Sequence, residues 1–256
     1  MGKLNGRIAA VTGAATGLGR AIALLYAAEG ADVAVLDRNG QGAEIVAARI
    51  RELGRRSLAV TVDVGDEAAV RLAFAAVEAE LGSLDILVNN AGIVTVSLLD
   101  TMATETFDEM IRINLKSVFL CSRAVLPGMT ARGDGDVINI ASVSGKRPLA
   151  HRTPYCASKM AVIGLTSTLA FEVGPAGVRV NTLSPGPVSG PRMARNFRLE
   201  AERSGASIEA AEAAFVSRAA LGRMVTEEEV GAAVLAMLGM PGLCGSDVDL
   251  SAGMIA

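Results

Sequence analysis

Seven short apolar runs separated by helix-like stretches restrict the fold of this chain more than any other feature. They fall at 8–11, 32–36, 57–62, 85–88, 137–140, 178–183 and 247–250. They are runs rather than alternations. A strand with one wet face would alternate apolar with polar residues, whereas a continuous run marks a strand covered on both faces. Between them the pattern predicts helices over 21–28, 40–53, 66–81, 105–131, 154–173 and 226–238, with Pro127 interrupting the fourth. Strands that alternate with helices and are buried above and below require a parallel sheet. The expected fold is α/β: a doubly wound parallel sheet of about seven strands with helices on both faces. No linker or repeat divides residues 1–256, so one domain is expected. The least regular stretch, 184–222, opens with Pro185, Pro187 and Pro191 and reads as a substrate loop or lid, with one or two helices over 192–219.

Such sheets bind ligands at the carboxyl ends of their strands. Gly13, Asp37, Asp63, Asn90, Ser142 and Pro185 all fall just after predicted strands. Gly13, Gly17 and Gly19 are spaced G-x-x-x-G-x-G between a strand and a helix. Glycines let a pyrophosphate approach the backbone, and the helix N-terminus supplies free N–H groups and a positive dipole. The sheet is therefore expected to be Rossmann-like. Asp37, closing the second strand, can accept hydrogen bonds from an adenosine ribose and repels a 2′-phosphate, which favours NAD. Arg38 beside it could hold a phosphate and keeps NADP as the competing cofactor.

Tyr155 and Lys159 stand four residues apart in a predicted helix, so they share one face. An ammonium close to a phenol favours the ionised form, which suits the pair to proton transfer. Tyr26 and Tyr155 are the only tyrosines, and Ser142 precedes the second by thirteen positions. Composition removes competing chemistries. His151 is the only histidine, which argues against a Ser-His or Cys-His triad and against a zinc site, so no metal is expected. Net charge is −3 without a basic run, so nucleic acid is not an expected partner. Three unevenly spaced cysteines suggest reduced thiols and a cytoplasmic location. No apolar run approaches eighteen residues, so no membrane span is expected.

TGAATGLG at 12–19, Asn89-Asn90-Ala91-Gly92, Asn114, Ser142, Tyr155-x-x-x-Lys159 and Pro185-Gly186 together resemble the classical short-chain dehydrogenase/reductase family, in order and over nearly the whole chain. The resemblance implies that Tyr155 is the acid/base, Ser142 holds the substrate oxygen, Lys159 assists the phenol and binds the nicotinamide ribose, and Asn114 joins a proton relay through Lys159. It places the cofactor's pyrophosphate at Gly13, Thr16, Gly17, Leu18 and Gly19, and its adenosine ribose at Asp37 and Arg38. The adenine falls at Asp63 and Val64, the path to the nicotinamide at Asn90, Ala91 and Gly92, and the carboxamide side at Val188, with Pro185 and Gly186 also implied to bind the cofactor. The implied activity is hydride transfer between NAD(H) and a small secondary alcohol or ketone. The family also implies a homo-oligomer, with a tetramer favoured, joined through the Tyr helix and the one before it.

Two places depart from the family pattern. Gly190 stands where the family has a Thr that bonds the carboxamide, so Ser189 or backbone must substitute. The ending GSDVDLSAGMIA replaces a common V-D-G-G. Val94, Ser144, Arg147, His151, Met193 and Phe197 are candidate pocket residues by position. Two other readings compete. One is an NADPH-dependent ketoacyl-type reductase, which Asp37 and the lack of a basic residue at Thr16 oppose. The other is a non-catalytic NAD-sensing module, a class that tends to lose the Tyr or Lys kept here.

Overall fold

The computed structural model describes residues 2–254, without the side chains at 191, 192 and 203. In chain order the elements are β1 (Ile8–Thr12), α1 (Gly17–Ala28), β2 (Asp32–Asp37), α2 (Gly40–Glu52), β3 (Ser57–Thr61), α3 (Glu67–Leu81) and β4 (Ile86–Asn89). There follow α4 (Thr104–Ile111), α5 (Ser117–Arg132), β5 (Gly135–Ile140), α6 (Thr153–Val173), β6 (Val178–Pro185), α7 (Pro191–Ser204), α8 (Ile208–Val216), α9 (Glu227–Leu238) and β7 (Asp247–Leu250). The strands form one parallel sheet in the order β3-β2-β1-β4-β5-β6-β7. The doubly wound α/β expectation is met in full.

Period-two geometry sends successive strand residues to opposite faces, and both faces are apolar. Ala9, Val11, Val33 and Val35 pack beneath α1, α2 and α9 with Ile22, Val46 and Val234. Ala10, Ala34, Leu36 and Leu87 pack on the other side with Phe74, Leu120 and Met129. From β1 the chain winds out to β3, then returns past β1 to begin β4. The carboxyl ends of β1 and β4 thus flank the crevice at which this topology binds ligands.

The last strand falls where expected, the other strand bounds differ by one or two residues at one or both ends, and α1 begins at Gly17, earlier than the apolar period suggests. The predicted 105–131 helix breaks at a different place. Pro127 sits inside α5 on an exposed face, where the carbonyl that loses its donor can meet water. The interruption is instead a π-turn, Arg112–Lys116, in which the Ser117 N–H reaches back to the Arg112 carbonyl. Helix α6 is the one helix among the described residues long and apolar enough to cross a membrane, by length and composition. It contains no unbroken apolar run, because Lys159 and small polar residues interrupt the apolar positions. One side of α6 lies on β6, burying Val162, Thr166 and Ala170, while Met160 and Phe171 face outward. The 184–222 stretch forms two helices, α7 and α8, joined by an edge-to-face contact of Phe197 and Phe215 at 5.5 Å. The tail after β7 returns to this stretch: the Ala220 and Leu221 N–H groups donate to the Gly253 and Ala252 carbonyls.

Candidate active site

The crevice between β1 and β4 is held shut at its base by Thr12. Its buried Oγ accepts the N–H groups of Asn90 and Ala91, at 3.0 and 3.1 Å, and donates to the Val88 carbonyl. The Asn90 carboxamide donates to the carbonyls of Thr12 and Gly13, so this side chain braces the Gly-rich turn instead of facing a ligand. The close approach explains two glycines. A methyl on Gly13, whose φ is +63°, would meet Ala91 Cα at 2.9 Å, and one on Gly19 would meet the Gly13 carbonyl at 2.2 Å. Gly17 differs: its φ of +57° favours glycine, and a methyl there would meet no backbone, only Glu227 Oε1 at an ordinary contact distance of 3.8 Å.

At the start of α1, Thr16 is extended and makes no side-chain cap, and the first turn contains no acid. The first N–H groups of this helix are accordingly free for an anion. Leu18 is partly buried and packs on the core, holding the turn down. Asp37 reaches back over the same turn, its carboxylate accepting the N–H groups of Ala15 at 3.0 Å and Asn39 at 2.9 Å. The backbone donors, the open helix end and a carboxylate at the β2 terminus fit a dinucleotide on their own chemistry.

Farther along the sheet edge, Asp63 is committed to Arg112, whose Nη1 lies 3.0 and 2.9 Å from its two oxygens. Burial works against ionisation of Asp63, but the Gly65 N–H and the Arg112 guanidinium outweigh it and hold the carboxyl below the usual carboxylate range. Arg38 is exposed and close enough to act electrostatically on Asp63. Val64 is buried in the core beneath.

The catalytic candidates converge at the ends of β4 and β5. Ser142 follows β5, is 8% exposed, and caps the short 3₁₀ turn Val143–Gly145 by accepting the Ser144 N–H at 3.1 Å. This leaves the Ser142 O–H available as a donor. Pro154 begins α6 within its first turn, where a missing N–H is harmless, and Tyr155 follows half-buried with Lys159 buried one turn on. Lys159 Nζ lies 6.0 Å from the Tyr155 ring centroid and donates to the Ile140 carbonyl at 2.7 Å. Asn114 is wholly buried in the π-turn. Its Oδ1 accepts the Ile93 N–H, and its Nδ2 donates to Ile93 O and to Ser158 Oγ. A methyl on Gly92 would stand 3.4 Å from Asn114 Oδ1 and 3.6 Å from Lys159 Nζ, so Gly92, Asn114 and Lys159 close on one point.

Pro185 and Gly186 end β6. A methyl on Gly186 would meet Ser251 Cα at 2.8 Å, so this glycine admits the tail after β7. Val188 is buried and bridges to Val225, while Ser189 N–H donates to the Val225 carbonyl. Gly190 has φ +151°, a conformation that a Thr rarely adopts, so this backbone accommodates the departure from the family pattern. Among the pocket candidates, Ser144, Met193 and Phe197 are buried and Val94 is partly so. Arg147 donates to the Met254 carbonyl, which ties it to the tail. His151 is exposed with φ +63°, and its carbonyl accepts the Ser97 N–H.

Sequence reasoning overlooked Thr12 and Ser158, whose signal was only a hydroxyl beside a recognised motif. It also overlooked Lys146, which pairs with Asp247 at 2.6 Å and with Asp249, fastening the Ser142–Tyr155 loop to β7.

The pattern of the family described as short chain dehydrogenase matches residues 7–202. The chain is 42% identical over 183 residues to D-threitol dehydrogenase of Mycolicibacterium smegmatis, covering 72% of this chain and 70% of that one. Its structure resembles an NAD+-bound xylitol dehydrogenase with a TM-score of 0.92 at 29% identity, covering 98% of this chain and 100% of that one. It also resembles the L-sorbose reductase of Gluconobacter frateurii complexed with NADPH and L-sorbose, with a TM-score of 0.93 at 28% identity over 98% and 97% of the two chains.

Proposed function

This chain belongs to the short-chain dehydrogenase family, and from that premise we propose that it transfers a hydride between NAD(H) and a secondary alcohol or ketone of a small polyhydroxylated substrate. The observation that carries the reading is Lys159, which stands beside the Tyr155 ring, donates to the Ile140 carbonyl two residues before Ser142, and meets Asn114 across Gly92. A bound nicotinamide cofactor supplies or accepts the hydride. The chain handles the proton. In oxidation the substrate hydroxyl gives its proton to Tyr155 Oη, and Ser142 Oγ donates a hydrogen bond to the same substrate oxygen without competing for that proton. Lys159, anchored on Ile140 O, presents its charge beside the Tyr155 ring. Asn114 fixes Ile93 and Ser158 and borders Lys159, a place suited to passing the proton outward.

NAD is proposed over NADP because the Asp37 carboxylate, held by two backbone N–H groups, cannot swing away from a 2′-phosphate at low cost. The neighbouring Arg38, and the NADPH-bound relative, support NADP(H) as the second reading. The polyol class is suggested by the names threitol, xylitol and sorbose among the relatives. Tyr155→Phe should lower turnover at least about 100-fold while leaving cofactor binding intact. The check is absorbance at 340 nm with NAD or NADP over a polyol and ketose panel, beside a calorimetric titration of each cofactor. Retained turnover in Tyr155→Phe, or silence across the panel, overturns the reading. A cytoplasmic setting and a single domain over 1–256 are part of this proposal, of which residues 1, 255 and 256 lie outside those described.

A further inference from the structure

Helix α9 opens with Glu227, Glu228 and Glu229, and the three are not equivalent. Glu229 closes a capping box with Thr226 and pairs with Arg223 at 2.6 Å. Glu228 is exposed. Glu227 is partly buried, and no ion pair or side-chain hydrogen bond holds it among the described residues. Its Oε1 lies between the first residue of α1 and the residue that precedes α7. A methyl on Gly17 would stand 3.8 Å from that oxygen and one on Gly190 would stand 3.6 Å from it; among the described residues, chain neighbours and helix backbone aside, no other atom lies within 4 Å of either. A carboxylate therefore faces the gap between the start of α1 and the start of α7. Helix α1 has neither an acid in its first turn nor a side-chain cap at Thr16, so Glu227 is an acid brought to this helix end from another element.

We propose that Glu227 sets how long the cofactor stays. The inference rests on the reading above that the Gly13–Gly19 turn receives a pyrophosphate. A carboxylate beside that position repels the incoming phosphates, weakens dinucleotide binding and hastens release. Release often limits turnover in enzymes with loops over the site, and Gly190, which caps α7 at the other side of this gap, lies against the same carboxylate. The effect belongs to the pyrophosphate alone. It is therefore the same for NAD and ADP-ribose and absent for adenosine.

The experiment titrates NAD, ADP-ribose and adenosine into the wild-type protein, Glu227→Gln and Glu228→Gln at low ionic strength, with NADH release followed by stopped-flow fluorescence. Glu227→Gln should bind NAD and ADP-ribose about fivefold more tightly and release NADH correspondingly slowly, with adenosine unchanged. Added salt should narrow the difference from wild type by screening the repulsion. Glu228→Gln removes the same net charge from the same turn and should change nothing beyond about twofold. Unchanged or weaker binding in Glu227→Gln, or equal tightening in Glu228→Gln, overturns the proposal. Should Glu227→Gln fail to fold, Glu227→Asp draws the carboxylate back by one methylene and must shift affinity in the same direction. A wild-type protein that binds no dinucleotide overturns the cofactor reading and this one with it.

Discussion

Thr12 joins two strand ends through one hydroxyl, and the crevice depends on it. Replacing it by Val keeps the shape but leaves the Asn90 and Ala91 N–H groups without their acceptor. An unsatisfied buried donor costs about 1–3 kcal/mol, so Thr12→Val should lower the melting temperature and weaken NAD binding, measured by calorimetry on one sample. Asp63 supplies a pH prediction. Its folded carboxyl is held below the ordinary value by Gly65 and Arg112 against the opposing effect of burial. Such a group stabilises the fold fully above its unfolded pKa, near 4, and loses that contribution as pH falls through the lower folded value. The pair is about half exposed, so its worth is at most about 1 kcal/mol. Asp63→Asn should therefore reduce stability slightly at neutral pH and flatten its decline below about pH 4, read from urea midpoints across pH. Tyr155, Lys159, Ser142 and the glycines were legible because their spacing survives as a string. Thr12 was not, because its partners lie 76–79 residues away.

At the scale of elements, the π-turn determines where Asn114 points. An α-helix continued from α4 into α5 would rotate Asn114 away from Ile93 and Ser158, because one residue turns the helix by about 100°. The inserted turn instead directs its carboxamide inward, toward Lys159. Deleting Leu115 should restore the regular ladder and keep far-UV helicity while turnover falls about 100-fold, a loss typical of a misplaced positioning group. Nothing in the local sequence marks the bulge. Pro127 looked like the breaker, yet its exposed position within α5 tolerates the missing donor. Gly190 is the reverse case, since its identity was plain and only the backbone φ shows why a Thr is absent.

For the whole molecule, the outward face of α5 and α6 is an apolar surface that nothing in the described chain covers. Phe171 is 85% exposed, Met160 60% and Phe119 45%, beside a groove of about 670 Å³ between the two helices. Exposed apolar patches of this kind mark association sites. A homo-oligomer formed through this face, with a tetramer favoured, is the proposed assembly. Phe171→Glu combined with Met160→Glu should yield a smaller species by light scattering after size exclusion, with the monomer fold intact by circular dichroism. A wild-type protein that elutes as a monomer, or a double variant with unchanged mass, would refute it.

By itself the sequence determined the alternation of buried strands and helices, the Gly-rich turn and the Tyr155–Lys159 pairing. Each follows from residues close in the chain, where burial period and backbone sterics act. Only the tertiary structure decided that β1 lies beside β4, that Asn90 braces the turn, that Asp63 answers to Arg112, and that Glu227 faces α1. Those relations join distant segments, and side-chain partners across a sheet edge are set by how the layers pack.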